Sequence, residues 1–256
     1  MKRTAFLACA TALVALAGCN KKSTGGESTT TSAPVHHANV KPPAGGDWTQ
    51  VINPTPDGGV MMGNPNAKVH LIEIGSLTCP HCQRFEESAV DDLTNKYVKT
   101  GQISYEFRNY VRDSFDLAAV LIAKCNGPEG FFPLTRAFYD TQPQWEAVLP
   151  KLPQDQVDQL QNLPPNQIEL QAAKLVGFLD WAAARGIPQA KATQCLTDTN
   201  TINQVVDQSG QVTQQWPDFP GTPSFILNGT MVDLNGISED KVWPTVESKI
   251  KAAIGS

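Results

Sequence analysis

The feature that most limits what this chain can fold into is a cysteine pair set directly after an apolar run. Val69 to Ile74 is apolar except for His70 and Glu73, is bounded by Asn64-Pro65 and Gly75, and reads as a strand buried on both faces. Cys79-Pro80-His81-Cys82 follows, and then Phe85, Ala89, Leu93 and Tyr97 recur every four residues as one face of a helix, with Pro80 tolerated in its first turn. A Cys-x-x-Cys pair at such a junction places the first sulfur at a helix N-terminus, where unpaired amides and the helix dipole favour a thiolate. Cys79 is therefore the candidate nucleophile, and Cys82, one turn inside, its shielded partner.

Three other uses of the pair have to be weighed: half of a zinc site, a haem attachment and a structural disulfide. Zinc needs a second pair of ligands at close spacing, whereas Cys125 and Cys195 stand alone; haem attachment needs a histidine immediately after the second cysteine, where Gln83 stands. Redox chemistry fits best. His81, between the two sulfurs, is placed to favour the Cys79 thiolate, which stabilises the reduced form and makes the disulfide the stronger oxidant. Glu73 would carry an uncompensated buried charge unless paired or protonated, so it is either a proton-handling group for Cys82 or a structural carboxylate satisfied by a lysine.

Gln102 to Tyr110 reads as a second strand, completing a strand-helix-strand unit. From residue 114 to about 215 strand character gives way to helical spacing, as in Ile168, Ala172, Leu175, Leu179 and Ala182, broken at Gly127-Pro128, Pro164-Pro165 and Gly186-Ile187-Pro188. Ser224 to Leu227 and Thr230 to Leu234 then flank Asn228-Gly229, a strong hairpin signal, and a terminal helix runs from about Glu239 to Ala253. The order is βαβ, helices, ββα.

Val69 to Glu87, centred on Cys79-Pro80-His81-Cys82, resembles the active-site segment of the DsbA-like thiol oxidoreductases, and Gly221-Thr222-Pro223-Ser224-Phe225 resembles the segment in which that family carries a cis-proline. The resemblance implies an α/β, thioredoxin-like fold with an inserted helical domain: residues 47–113 and 216–256 form the thioredoxin-like domain and 114–215 the insert. It further implies an exposed Cys79, a buried Cys82, a buried acid at Glu73, and Pro223 in cis opposite the disulfide. The family's chemistry passes the disulfide to reduced exported proteins through a mixed disulfide on the first cysteine, and needs no organic cofactor or metal. A quinone-linked membrane partner of the DsbB type would reoxidise it. Thr222 before the proline also occurs in reductase and isomerase relatives, so the opposite direction of electron flow stays open. So does a third class, a tethered peptide-binding chaperone with a merely structural disulfide.

The N-terminus bears on compartment. Lys2 and Arg3, an apolar run from Ala5 to Ala17 and small residues before Cys19 read as a secretory signal, too short for a membrane span. Leu16-Ala17-Gly18-Cys19 resembles a bacterial lipobox, so residues 1–18 are expected to be removed and Cys19 lipidated, holding the protein on the periplasmic side of a bacterial membrane. Residues 19–46, rich in Ser, Thr, Gly and Pro, read as a flexible tether, and His36-His37 within it as a solvated pair. Of six cysteines, Cys9 leaves with the signal and Cys19 is lipidated, which leaves Cys79, Cys82, Cys125 and Cys195. Cys125 and Cys195 are expected to pair as a structural disulfide, the alternative being two buried thiols. Net charge is -5, or -7 once Lys2 and Arg3 are lost, with no basic cluster beyond Lys21-Lys22, which excludes a nucleic-acid partner.

Overall fold

The computed structural model describes residues 41–255; the expected signal segment, Cys9, Cys19, His36-His37 and the tether up to residue 40 lie outside the described residues. The sheet has six strands in the order β1-β2-β4-β3-β5-β6. These are β1 (Ile52–Pro54), β2 (Val60–Gly63), β3 (Val69–Gly75), β4 (Ile103–Asn109), β5 (Ser224–Leu227) and β6 (Thr230–Met231). β3 and β4 pair in parallel, as a crossover through a helix requires, and every other neighbouring pair is antiparallel. Helices α2 to α9 occupy the chain between β4 and β5, from Ser114 to Gln215, and α10 (Val242–Ile254) closes it. This is a thioredoxin-like arrangement with a helical insertion.

The crossover helix starts as α1 (Pro80–Phe85) and continues through two wide turns, Glu86–Val90 and Leu93–Val98. A strict spacing of four drifts around a helix of 3.6 residues per turn, and wider turns reverse the drift. Phe85, Ala89, Leu93 and Tyr97 accordingly all face the core, at 3%, 1%, 0% and 6% exposure.

Several expectations change. β3 is fully buried on one face only, since His70 and Ile72 are half-buried. On the other face Ile74 packs with Ile226 and with Val212 of α9 (Thr199–Gln215), so cover is complete only at the Ile74 end. The antiparallel β1–β2 pair precedes the expected strands and extends the sheet beyond β4. The periodic run from Ile168 to Ala182 is two helices, α6 (Pro165–Leu175) and α7 (Phe178–Ala183), separated at Gly177, whose φ of 78° favours glycine. β6 stops at Met231, short of the expected Leu234, while Asn228 and Gly229 both take the positive φ (48° and 83°) that a tight hairpin turn requires.

Candidate active site

Cys79 has extended backbone and sits at the N-cap of α1, with Pro80 in the first helical position. Both Cys79 and Cys82 are free thiols. Cys82 is fully buried, and Cys79 presents 3% of its surface, so the exposed Cys79 implied by the resemblance is corrected. Its Sγ donates to the Thr222 carbonyl at 3.2 Å, which brings the loop carrying the cis Thr222-Pro223 peptide over the sulfur.

The two thiols differ sharply in acidity. A hydrogen bond from Cys82 is the largest influence on Cys79; burial opposes it, and the Thr222 side chain and the backbone amides of Cys82 and His81 reinforce it, bringing Cys79 down to about 5. Burial, then the hydrogen bond to Cys79 and the charges of Cys79 and Glu73, push Cys82 well above the ordinary thiol range. A thiolate at Cys79 and a thiol at Cys82 therefore coexist at neutral pH, the asymmetry that a nucleophile and a resolving partner need.

The His81 ring is engaged on the side of Glu239 and Arg84. Its Nδ1 lies 2.7 Å from Glu239 Oε1, in an exposed cluster with Arg84, and it is the backbone amide of His81 that acts on Cys79. Glu73 is buried and accepts a 2.7 Å hydrogen bond from Tyr105 Oη, so its partner is a tyrosine rather than the lysine considered from the sequence. Burial first, then the charges of Glu86 and Cys79, raise its carboxyl to about 8. Glu86, itself buried on the continuation of α1, is raised to about 7 by burial, with Arg136 opposing from 3.4 Å.

The turn between β3 and α1 is fastened by groups that sequence reasoning did not single out. Asp116, on α2 (Ser114–Lys124) and fully buried, accepts from Ser76 Oγ at 2.7 Å, Leu77 N at 2.9 Å and Arg112 N at 3.1 Å. Tyr139, on α3 (Pro128–Asp140), donates to the Ser76 carbonyl at 3.0 Å, and Arg112 Nη1 to the Thr78 carbonyl at 2.8 Å. Gln142, opening α4 (Gln142–Glu146), donates to the carbonyls of Leu77 at 2.7 Å and Cys79 at 3.3 Å. The helical region thus orients the loop that carries the nucleophile. Asp113, which caps α2 by accepting from the amides of Phe115 and Asp116, was a readable helix start; nothing in the sequence marks Gln142. Away from this cluster, Cys125 at the end of α2 and Cys195 on α8 (Gln189–Thr197) form a disulfide, with S–S 2.02 Å.

Comparison with known proteins agrees with this geometry. The sequence model of the thioredoxin family matches residues 55–243. Proteins named as protein-disulfide oxidoreductases from Rickettsia prowazekii and Rickettsia bellii are each 26% identical, over 79% and 75% of this chain; the chain spans 65% and 67% of their lengths. The crystal structure of a protein-disulfide isomerase from Novosphingobium aromaticivorans superposes with a TM-score of 0.70 at 31% identity, covering 77% of this chain and 97% of that one. Wolbachia pipientis alpha-DsbA1 shares the fold, with a TM-score of 0.58 at 22% identity over 79% of this chain and 93% of that one. With a redox-type cysteine pair at a strand-helix junction, a proline loop against the first sulfur and a helical insertion between β4 and β5, this chain belongs to the thioredoxin family, in the DsbA-like form of its fold.

Proposed function

We propose that the protein is a thiol:disulfide oxidoreductase that acts mainly as a dithiol oxidase on exported proteins. The observation that carries this reading is the split between a stabilised Cys79 thiolate and a Cys82 held as a thiol. In the oxidised protein a substrate thiolate attacks Cys79 Sγ and Cys82 departs with the electron pair. Cys82 then takes a proton, for which Glu73, protonated at neutral pH, is the nearby buried source. A second substrate thiolate attacks the substrate sulfur of the mixed disulfide and releases Cys79 as a thiolate. The substrate dithiol loses two electrons and the Cys79–Cys82 pair gains them. Because the thiolate stabilises the reduced enzyme, the disulfide is a strong oxidant.

A DsbB-like quinone-linked membrane protein is the proposed reoxidant, and lipidated Cys19 the proposed anchor on the periplasmic face. Support for both comes from the sequence alone, and the intact mass of membrane-extracted protein tests the anchor. Likeness to the Novosphingobium isomerase, together with Thr222, favours a second reading in which the pair is kept reduced and rearranges or reduces disulfides. Thiol trapping of freshly isolated protein separates the two. A Cys79–Cys82 disulfide that oxidises a reduced protein substrate, with activity lost in Cys79→Ser, supports the oxidase; a dithiol in vivo supports the isomerase. Activity that survives Cys79→Ser would leave only a peptide-holding module.

A further inference from the structure

Helix α1 has a second tether besides the proline loop. Glu239 lies in the short turn Glu239–Lys241 that leads into α10, and reaches across 158 positions of sequence to the helix carrying the cysteines. Its Oε1 is 2.7 Å from His81 Nδ1 and contacts Arg84 Nε, while Arg84 Nη2 lies 3.0 Å from the same imidazole nitrogen. That nitrogen faces a carboxylate, which only accepts, and a guanidinium, which only donates, so in either tautomer it has a partner within this cluster. The Nδ1 edge of the ring between the two cysteines is thus committed to Glu239 and Arg84.

We infer that Glu239 is a positioning residue for thiol exchange, holding the His81 imidazole and the Arg84 guanidinium so that Cys79 receives less of the Arg84 charge and none of the imidazole's hydrogen bonding at Nδ1. The inference rests on the proposed Cys79–Cys82 exchange and deepens it, since it places a control on oxidising strength at the start of the C-terminal helix. Removing the carboxylate acts twice in the same direction. The negative charge that compensates Arg84 disappears, and the imidazole is released to turn toward Cys79. Both favour the thiolate, and so the dithiol form. The side chains of His81, Arg84 and Glu239 are 62%, 44% and 42% exposed, so solvent screening keeps the effect modest.

The test is the equilibrium of the full chain with reduced and oxidised glutathione at pH 7 and low salt, for wild type, Glu239→Gln, His81→Ala and the double variant. Glu239→Gln should shift the equilibrium about two- to fivefold toward the dithiol, the range an exposed charge pair provides. The shift should shrink when His81 is absent. No shift, a shift toward the disulfide, or an equal shift in the His81→Ala background overturns the inference. Wild-type protein that never equilibrates with glutathione at Cys79–Cys82 overturns the exchange reading and this inference with it. Normal wild-type equilibration with an unmoved Glu239→Gln overturns the inference alone.

Discussion

Tyr105 Oη donates a 2.7 Å hydrogen bond to Glu73 Oε2 across the parallel β3–β4 pair, and both residues are buried. A neutral carboxyl is well served by one such donor. An ionised one is not, because a single hydroxyl cannot replace the water it has lost, which is why burial outweighs the hydrogen bond and lifts Glu73 to about 8.

The sign of the resulting pH dependence follows. A carboxyl raised in the folded state gives stability that is fully present below its ordinary value of 4.5 and lost as pH rises through about 8. Glu86 and Asp116, both raised to about 7 by burial, act in the same sense. Glu73→Gln keeps an acceptor for Tyr105 and removes one titration. In denaturant melts of oxidised protein, the fall in unfolding free energy between pH 5 and 8 should become shallower by about 1.4 kcal/mol per pH unit. An unchanged slope would mean that Glu73 is already ionised in the fold.

Asp116 holds two donors of the β3–α1 turn, Ser76 Oγ and Leu77 N, and the Arg112 amide just before its own helix. Asp116→Ala strands them in the core and should cost about 2–4 kcal/mol, with a smaller loss for Asp116→Asn, which keeps one acceptor oxygen. Gln142→Ala removes the donor to the Leu77 and Cys79 carbonyls, and should lower the rate of Cys79 exchange with a small disulfide more than it lowers the melting temperature. Equal exchange rates in Gln142→Ala and wild type would show that the turn holds its shape unaided.

How much of this was legible depends on the range of the interaction. Strand β3, the cysteine pair and the Asn228-Gly229 hairpin announce themselves because their signals are local: apolar periodicity, fixed spacing and turn chemistry. The β1–β2 hairpin had a local signal too, Pro56-Asp57-Gly58-Gly59 between short apolar runs, but Pro54 and the brevity of the strands masked it. Sequence proximity points the His81 ring at Cys79, whereas Glu239 competes for it from 158 residues away. Asp116, Tyr139 and Gln142 were invisible for the same reason. Each looks like an ordinary helix residue until the insert folds back onto residues 76–79.

The Cys125–Cys195 disulfide closes a loop 70 residues in span, wholly within the chain between β4 and β5. Replacing both cysteines with serine should reduce stability by about 4 kcal/mol in the chain-entropy model, read as a lower denaturant midpoint. Alkylation of Cys79 at pH 7 should keep its wild-type rate under native conditions, because no group that sets its acidity lies on this bridge. A slowed Cys79 would reveal that the bridge also positions the insert against the active-site turn.

Reduction of the Cys79–Cys82 pair should stabilise the fold rather than loosen it. Cys79 is depressed from 9.0 to about 5 in the folded protein, so its contribution is present in full above the unfolded value and lost as pH falls through about 5. At pH 7 the unfolded thiol is protonated and the folded one ionised, a difference of at most about 2.7 kcal/mol. The chain entropy released on opening a four-residue ring opposes this but is small for so short a loop. Urea melts of both redox forms should therefore give the reduced form the higher midpoint at pH 7, and the gap should close near pH 4. His81→Ala should leave the gap nearly intact, because the ring faces Glu239, whereas Thr222→Val should narrow it by removing a hydrogen bond that favours the thiolate. If the oxidised form proves the more stable at pH 7, the thiolate does not dominate the energetics of the pair, and the reductase or isomerase reading becomes the better account of what Cys79 does.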